Sequence, residues 1–581
     1  MTESITRHHP DALPAREIFE REVGASISDL HITQVGTENF LTFEVGREAP
    51  IYDHALTVTQ ASLPPENEFK GRLRLSVKPV RKFPESLEAS CLLTLLTRST
   101  RAVTEGRHAT GFMVPYVPFQ NREDHILSQP ASHVVLGRRG VGKSTLIIRA
   151  VDLLSQTDAV FVVLDMQAYD ELGMDDAIRE IALDLVIKLR EAAAGKISGA
   201  AWTPVGSALD GLEAMLSSRS APIRTLGPSI KRVLSKITTE TKSNVFVFLD
   251  DFHRIENSAQ PEILNFLNGA LKGAAAWLKV AGVRSLTNYY SSANRKGLQV
   301  PGDAQEISLD LTLENPEAAE RHLKAILQSF LAAVGYSFNE RVLPDAAFKR
   351  LVWANAGVPR DFLQMFARAL EHSRRNRHSS VTVSDVNIAI GEFGQKKFQE
   401  MRDDAREDID RIDVMIQALE QYCLDTNKVN AFLIKSEDSE ERWLVRKLSD
   451  LRLVHLIHQS ITPDNAGEKY EAFIVDYALF TGFRRRPNVR EMIPSESQFK
   501  ASELRKLPKV SRGFLDGIAG EAKGKIVVAP PAKKLKEPNY RSRSGSSKQA
   551  RGASTKSSSG GTKKLSATKS KKRSTSKAKG L

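Results

Sequence analysis

Short, uninterrupted apolar runs recur in the middle of the chain and alternate with segments of helical spacing. The runs HVVL, AVFVVL, VFVFL and WLKVAGV begin at residues 133, 159, 245 and 277, and residues 304–311 form a weaker fifth run. Such runs are typical of strands that are buried on both faces. Residues 144–154 and 176–190 have the apolar spacing of helices. The pattern predicts an α/β fold, an open parallel sheet with helices on both faces.

A second pattern of elements follows towards the C-terminus. Residues 414–422 are apolar at helical spacing, residues 427–434 form a short second element, and residues 439–454 form a third, amphipathic helix. Two strand-like runs around a turn at residues 463–467 then predict a hairpin. Three helices followed by a hairpin predict a winged-helix domain.

The charge is distributed unevenly along the chain. The net charge is +13, but residues 531–581 contain sixteen Lys and Arg residues against one acid, Glu537. The other 530 residues hold 67 basic and 69 acidic side chains and are nearly neutral. After Tyr540 the chain has no Val, Ile, Phe or Trp, so it cannot bury enough apolar surface to offset its conformational entropy. We therefore predict a disordered basic tail.

Cysteine usage and hydropathy bear on the cellular location. The two cysteines, Cys91 and Cys423, are far apart in sequence, which argues against a disulfide framework and for a reducing compartment. The first residues lack the apolar core of a signal peptide, and no apolar run reaches the length of a membrane span. We expect a cytoplasmic protein that does not enter a membrane.

The first apolar run leads into a phosphate-binding motif. Gly137, Gly142, Lys143 and Ser144 match G-x-x-x-x-G-K-[ST], between a predicted strand and a predicted helix. In such a loop backbone N–H groups surround the phosphates, the lysine reaches the β- and γ-phosphates, and the hydroxyl ligates magnesium. The helix N-terminus adds its dipole to the same charge. We expect ATP and Mg²⁺ as cofactors. The expected binding residues are Gly137, Arg138, Arg139, Gly140, Val141, Gly142, Lys143, Ser144 and Thr145.

Two adjacent aspartates end the third apolar run. Asp250 and Asp251 follow residues 245–249 directly, and neighbouring carboxylates repel each other unless a cation lies between them. Asp250 is the expected magnesium-holding acid, together with Ser144. Asp251 occupies the position of a water-orienting acid, for which Glu is common. Because Asp is shorter, we expect an ATPase that converts ATP to ADP and phosphate slowly, as a switch rather than a motor.

Further segments resemble the AAA+ superfamily, in particular its origin-recognition or initiator-like branch and the bacterial relatives of that branch. VPFQNRE at residues 117–123 corresponds to a segment near the adenine in that branch. Arg284 falls at the sensor-1 position at the tip of the fourth strand. NAGVPRDFLQMFARAL at residues 355–370 resembles the sensor-2 segment, in which Arg360 reaches the γ-phosphate. The resemblance implies an AAA+ core with a helical lid, and catalytic roles for Asp251, Arg284 and Arg360.

Two features depart from the initiator pattern and resemble STAND signalling ATPases. These are an arginine at sensor 1, Arg284, and the Asp-Asp pair at residues 250–251. The alternatives to an initiator-like function are therefore a STAND-like signalling ATPase, for example in phage defence, and a partner-delivery ATPase of the transposition-helper kind. The absence of a repeat array after the lid in the sequence argues against the signalling alternative.

The resemblance also implies a winged-helix domain after the lid, and with it a DNA partner. Basic residues on the third helix would face the groove, and three arginines follow the hairpin. Acids on the same helix also suit a solvated face that makes protein contacts alone. With the basic tail, we expect duplex DNA as a partner, DNA association in the cell, and assembly into a homo-oligomer or with a partner ATPase. The candidate DNA-binding residues are Arg442, Arg446, Lys447, Arg484, Arg485 and Arg486.

These observations predict five regions. Residues 1–114 form an N-terminal region of unknown role, and residues 115–312 form the AAA+ core. Residues 313–395 form the lid, residues 396–490 the linker helix and winged-helix domain, and residues 491–581 the mostly disordered Lys/Ser-rich tail.

Overall fold

The computed structural model describes most of the chain up to residue 514. The described residues are 9–27, 30–46, 48–77, 82–100, 115–197, 199–219, 222–405, 408–437, 439–463, 468–493, 499–511 and 513–514. The basic tail predicted at residues 531–581 lies outside them. Both cysteines are buried free thiols. Among the described residues, no helix combines the length and the apolarity that crossing a membrane requires.

The core is a five-stranded parallel sheet, which confirms the predicted fold class. The sheet has the strand order β10-β4-β7-β6-β5. Along β6 the side chains alternate between two apolar layers, with Val245, Val247 and Leu249 in one and Phe246 and Phe248 in the other. The run of apolar residues therefore reflects burial on both faces, as predicted. The strands are β4 (His133–Leu136), β5 (Val160–Asp165), β6 (Val245–Asp250), β7 (Ala276–Gly282) and β10 (Gln305–Ser308).

Helices cover both faces of this sheet. The predicted helices after β4 and β5 are present, and two further helices, which the sequence pattern did not predict, lie between β5 and β6. A two-stranded hairpin, β8 (Tyr290–Ser291) with β9 (Lys296–Gly297), precedes β10. The core helices are α4 (Glu123–Leu127), α5 (Lys143–Ser155), α6 (Met174–Ala194), α7 (Trp202–Ser217), α8 (Ile223–Thr241) and α9 (Gln260–Leu271).

A helical lid follows the core. It contains α10 (Pro316–Ala333), α11 (Asp345–Asn355), α12 (Pro359–Arg375) and α13 (Val383–Ala405). Helix α13 packs on α12 and crosses the boundary predicted at residue 395 without a break. The lid, the N-terminal region and the C-terminal residues share one apolar cluster, so the three form a continuous core.

The N-terminal region consists of a small sheet and three helices, which the sequence analysis did not predict. A three-stranded sheet, in the order β1-β2-β3, carries helices α1 to α3. Residues 73–77 are strand β3, and residues 92–96 lie inside α3, which packs against α12 of the lid. The elements are α1 (Ala12–Val23), β1 (Leu30–Val35), β2 (Glu38–Val45), α2 (Pro50–Ser62), β3 (Leu73–Val77) and α3 (Leu87–Thr100).

The C-terminal module differs from the predicted three-helix pattern. The hairpin is present as antiparallel strands β12 and β13, but residues 427–434, predicted as the second helix, contain strand β11. Its residues are buried and pair with β13 and β14, which favours a strand over a helix. A single helix, α15, lies between β11 and β12, so the winged-helix assignment stays a prediction. The elements are α14 (Ile409–Leu419), β11 (Ala431–Lys435), α15 (Glu440–Asp450), β12 (Val454–Ile461), β13 (Tyr470–Val475), α16 (Ala501–Leu504) and β14 (Lys509–Val510).

Candidate nucleotide-binding site

The phosphate-binding motif forms the turn between β4 and α5. Gly140 and Gly142 have φ angles of 85° and 106°, a left-handed backbone that glycine adopts without steric cost. A Cβ atom at Gly140 would lie 2.9 Å from Nε of Arg360 and 3.2 Å from Cγ1 of Val358. The missing side chain therefore lets the lid contact the loop directly.

Lys143 begins α5 and lies buried beneath the loop. Its Nζ donates hydrogen bonds to the carbonyl oxygens of Gly137, at 3.0 Å, and Arg138, at 3.2 Å. Burial lowers its pKa, against the opposing effect of Asp251 and Asp250. A buried ammonium group whose hydrogen bonds reach neutral carbonyls favours an anion, and phosphate oxygens are stronger acceptors than those carbonyls.

The acid pair lies at the carboxyl end of β6. Burial raises the pKa of Asp250 to about 6, with a further contribution from Asp251, while a hydrogen bond with Ser144 opposes the shift. Asp251 has φ 50°, its backbone N–H donates to Oδ1 of Asp250 at 2.9 Å, and its side chain is 41% exposed. Ser144 and Asp250 thus bring a hydroxyl and a carboxylate oxygen together, the donor type that Mg²⁺ prefers.

Arg360 reaches the same loop from the first turn of α12. Its backbone N–H donates to the carbonyl of Gly140 at 3.2 Å. Its Nη2 is buried and has no hydrogen-bond partner in the part of the chain that the structure describes. Burial lowers the pKa of the guanidinium, which marks an incompletely compensated charge. A phosphate oxygen at the loop would supply the missing acceptor.

A cavity of about 300 Å³ extends from these charged groups between the core and the lid. Tyr116, Val117 and Phe119 line one side, and the last two belong to the segment predicted to lie near the adenine. On the lid side, Phe119 stacks on His322, with ring centroids 4.9 Å apart and an interplanar angle of 24°. Burial lowers the pKa of His322 to about 4, so the ring is neutral at pH 7. These surfaces suit a flat aromatic ring system.

The sequence patterns did not predict the residues that line this cavity on the lid side. His322, Ile326 and Phe330 lie on one face of α10 at a spacing of four residues and line the cavity. That spacing is also the signature of an ordinary core helix, so the pattern alone gave no signal of a binding role. Asp165, at the end of β5, lines the cavity beside Asp250, its partner in the strand register.

Two predicted site residues have other contacts. Arg138 donates from its backbone N–H to Asp310, and its Nη2 donates to the carbonyl oxygens of Leu311 and Ala356 at 2.8 and 2.9 Å. It therefore ties the loop to the lid, and its side chain is not among those lining the cavity. Arg284 lies at the predicted tip of β7.

The guanidinium of Arg284 donates to Glu306 on β10 at 2.8 Å. Arg284 and Ser285 line a separate cleft, between the core and the C-terminal module, rather than the cavity. The structure therefore does not bring Arg284 to the proposed nucleotide position, because a carboxylate near the sheet edge holds it elsewhere.

The candidate DNA-binding residues are largely paired within the chain. Glu471 on β13 accepts hydrogen bonds from Arg442, at 2.9 Å, and Arg446, at 2.5 Å. Lys447 pairs with Asp408. After the hairpin, Arg486 pairs with Glu420 at 2.8 Å and Asp425 at 2.9 Å, and Arg484 lies 3.6 Å from Glu420. Arg485 is exposed.

Comparisons with known proteins concern the fold. No protein-family model matches this sequence, and no curated protein matches it. Among solved structures, the chain is similar to the ORC2 protein of Aeropyrum pernix (12% identity, 73% of this chain and 99% of that one, TM-score 0.35). It is also similar to the ORC1 protein of Aeropyrum pernix in complex with DNA (13% identity, 62% and 90%, TM-score 0.32). Cdc6p of Pyrobaculum aerophilum gives 13% identity, 63% and 92%, and a TM-score of 0.32.

The structure itself shows a five-stranded parallel sheet, a loop after β4, which lies next to the central strand β7, and a helical lid whose Arg360 contacts that loop.

Proposed function

We propose that the protein binds ATP with Mg²⁺ and hydrolyses it slowly, as a switch. This proposal rests on one observation. Three charged side chains from three different elements line the same cavity. These are Lys143 from the loop, Asp250 from β6 and Arg360 from the lid. A cation from the core and a cation from the lid that line the same cavity favour a ligand whose negative charge joins the two parts.

In this proposal each residue has one task. Lys143 binds the β- and γ-phosphates, and Arg360 binds the γ-phosphate, so that the triphosphate adds a link between the loop and the lid that the diphosphate lacks. Ser144 and Asp250 would hold Mg²⁺, which neutralises phosphate charge when bound. Phe119 and His322 orient the base. Asp251 accepts a proton from the attacking water or orients that water.

Slow turnover follows from the position of Asp251. Its side chain is short and 41% exposed, so water competes for its carboxylate and weakens its hold on a single attacking water. We assign Arg284 no contact with phosphate in this proposal, because its guanidinium is committed to Glu306.

We further propose that the protein binds duplex DNA in an initiator-like role, chiefly through its tail. The tail carries sixteen basic residues against one acid, whereas the rest of the chain is nearly neutral. Arg442 and Arg446 contribute less than their number suggests, because Glu471 engages both. That pairing also favours the second candidate, a signalling or partner-delivery ATPase whose C-terminal module contacts protein.

The test is to measure ATP binding, turnover and subunit mass for the full-length protein with and without duplex DNA. Each phosphate contact contributes a slope of about −0.9 to the dependence of log affinity on log salt. Removing residues 531–581 should flatten this dependence and weaken binding to all sequences alike. Loss of all DNA binding on tail removal, with or without ATP, would end the claim for the C-terminal module and favour the second candidate.

A further inference from the structure

A buried ion-pair cluster joins the C-terminal module to the lid beside Arg360. Arg452 follows α15 and is 3% exposed. It pairs through Nη1 with Asp361 on α12 and through Nη2 with Glu400 on α13. One arginine of the module therefore holds carboxylates on two different helices of the lid.

Arg452 has its backbone held both within the module and by Lys397 of the lid helix α13. It has a left-handed backbone, with φ 65°, and its N–H donates to the carbonyl of Ser449 at 3.1 Å. Its carbonyl oxygen accepts a hydrogen bond from Lys397 at 3.4 Å, and Lys397 pairs with Asp476 at 2.5 Å in full burial. The guanidinium thus has little freedom to follow a displaced carboxylate.

Asp361 is the next residue after Arg360 and is 1% exposed. A carboxylate buried to this degree requires a cation or several hydrogen-bond donors. Asp361 and Glu400 are the acids that act on Arg360, and both favour its charged form, whereas Arg452 opposes them. Asp361 therefore acts on both Arg452 and Arg360, and removing Arg452 would leave Arg360 as a cation that Asp361 attracts.

We propose that Arg452 is a positioning residue for Arg360. Because Arg452 pairs with Asp361, the Arg360 guanidinium stays available to a terminal phosphate at the loop. This inference rests on the proposed ATP site and adds the C-terminal module to its control. A displacement of the module that withdraws Arg452 turns Arg360 towards Asp361 and weakens the hold on triphosphate. Diphosphate binding does not involve Arg360 and stays unchanged.

The experiment measures equilibrium affinities of the full-length protein for Mg·ATP and Mg·ADP. Arg360→Ala sets the reference, with a loss of ATP affinity and an unchanged ADP affinity. Arg452→Ala is expected to lower ATP affinity by about tenfold or more, the range of a charged hydrogen bond, with ADP affinity within about twofold of wild type. Adding Asp361→Asn to Arg452→Ala is expected to restore ATP affinity to within about threefold, because a neutral amide does not draw Arg360 away.

The matched control removes a different ion pair between the lid and the C-terminal residues, that of Arg350 with Glu491 at 2.7 Å, in the double variant Arg350→Met/Glu491→Gln. It is expected to lower stability without changing the ratio of ATP to ADP affinity. If Arg452→Ala does not fold, the double variant Arg452→Met/Asp361→Asn removes both charges and is expected to bind ATP like wild type.

Three results would overturn the inference. In the first, Arg452→Ala lowers ATP and ADP affinity equally, as a purely structural role requires. In the second, Asp361→Asn fails to rescue, or Arg452→Met/Asp361→Asn binds ATP as weakly as Arg360→Ala. In the third, the wild-type protein binds no ATP, which overturns the proposed function as well and is thereby distinguished from the first two.

Discussion

The candidate nucleotide-binding cavity and the exposed side of the C-terminal module are both rich in basic residues. The two regions differ in the partners of those residues. At the cavity, Lys143 donates to neutral carbonyls and Nη2 of Arg360 has no hydrogen-bond partner among the described residues. On the module, Arg442 and Arg446 share Glu471, and Arg486 is held by two carboxylates. The first arrangement is prepared for an anionic ligand, and the second is largely neutralised by the chain itself.

A count of basic residues therefore does not locate a binding surface. Burying a charge without a partner costs several kcal/mol, so a fold keeps such charges chiefly where a ligand offsets the cost. Surface ion pairs contribute only about 0–1 kcal/mol, but the pairs of Arg442 and Arg446 share a buried carboxylate that would lose its partners if they opened. Opening them requires an anion that competes with Glu471, which is 4% exposed.

The largest expected effect concerns chemistry at the cavity. Asp251→Asn should lower the rate of ATP hydrolysis by about 10²-fold or more, the range of general-base catalysis, with Mg·ATP affinity nearly unchanged. Phosphate release is the measurement. Glu256→Gln is the control, since Glu256 is exposed and lines the separate cleft. An unchanged rate of ATP hydrolysis in Asp251→Asn would show that this residue takes no part in the reaction.

A smaller effect is expected on the module, where the pairing can be broken deliberately. Glu471→Gln frees Arg442 and Arg446 and should strengthen duplex binding by about tenfold at low salt, with a steeper salt dependence of up to about two phosphate contacts. Fluorescence anisotropy against salt measures both. Glu468→Gln is the control, because Glu468 pairs with Lys435 instead. An unchanged affinity in Glu471→Gln would show that this face does not meet DNA.

The smallest effect concerns stability and pH at the cavity. Burial raises the pKa of Asp250 to about 6 in the folded protein, above its ordinary value of 3.8. The folded state therefore favours the protonated acid, and stability without nucleotide falls as pH rises from about 4 through 6. Asp250→Asn should raise the melting temperature by a few degrees (about 3 °C) at pH 7.5 and leave it unchanged at pH 4.

The same substitution should weaken Mg·ATP binding, and in the wild-type protein this binding should strengthen as pH rises through about 6. Asp165→Asn is the control for stability, since Asp165 is exposed at the neighbouring strand end. Equal melting temperatures for wild type and Asp250→Asn at pH 7.5 would contradict the claim that Asp250 is a buried, ionised carboxylate in the folded protein.

Local patterns predicted much of the core, because its signals are contained in a few consecutive residues. The run at residues 245–249 predicted an interior strand, the motif before Lys143 predicted the turn between β4 and α5, and the segment around Arg360 predicted the start of a lid helix. Each depends on backbone geometry that neighbouring residues determine.

Contacts between distant residues could not be predicted in this way. Arg446 and Glu471 are 25 residues apart, Arg452 and Asp361 are 91 apart, and neither pair has a local pattern. His322 joins the cavity from a helix with an ordinary apolar stripe. The strand β11 was predicted as a helix because its pairing with β13 and β14 comes from residues 470–475 and 509–510.

Calorimetric titration of Mg·ATP into wild-type protein and Lys143→Ala tests whether the loop after β4 binds a triphosphate. We expect one site per chain in wild type and a loss of affinity of at least about 10²-fold in Lys143→Ala, because two phosphates lose their charged donor. Lys196→Ala is the matched control, since Lys196 also donates to a backbone carbonyl, that of Thr157, on the core surface. Equal ATP binding by wild type and Lys143→Ala, or no binding by either, would contradict the account.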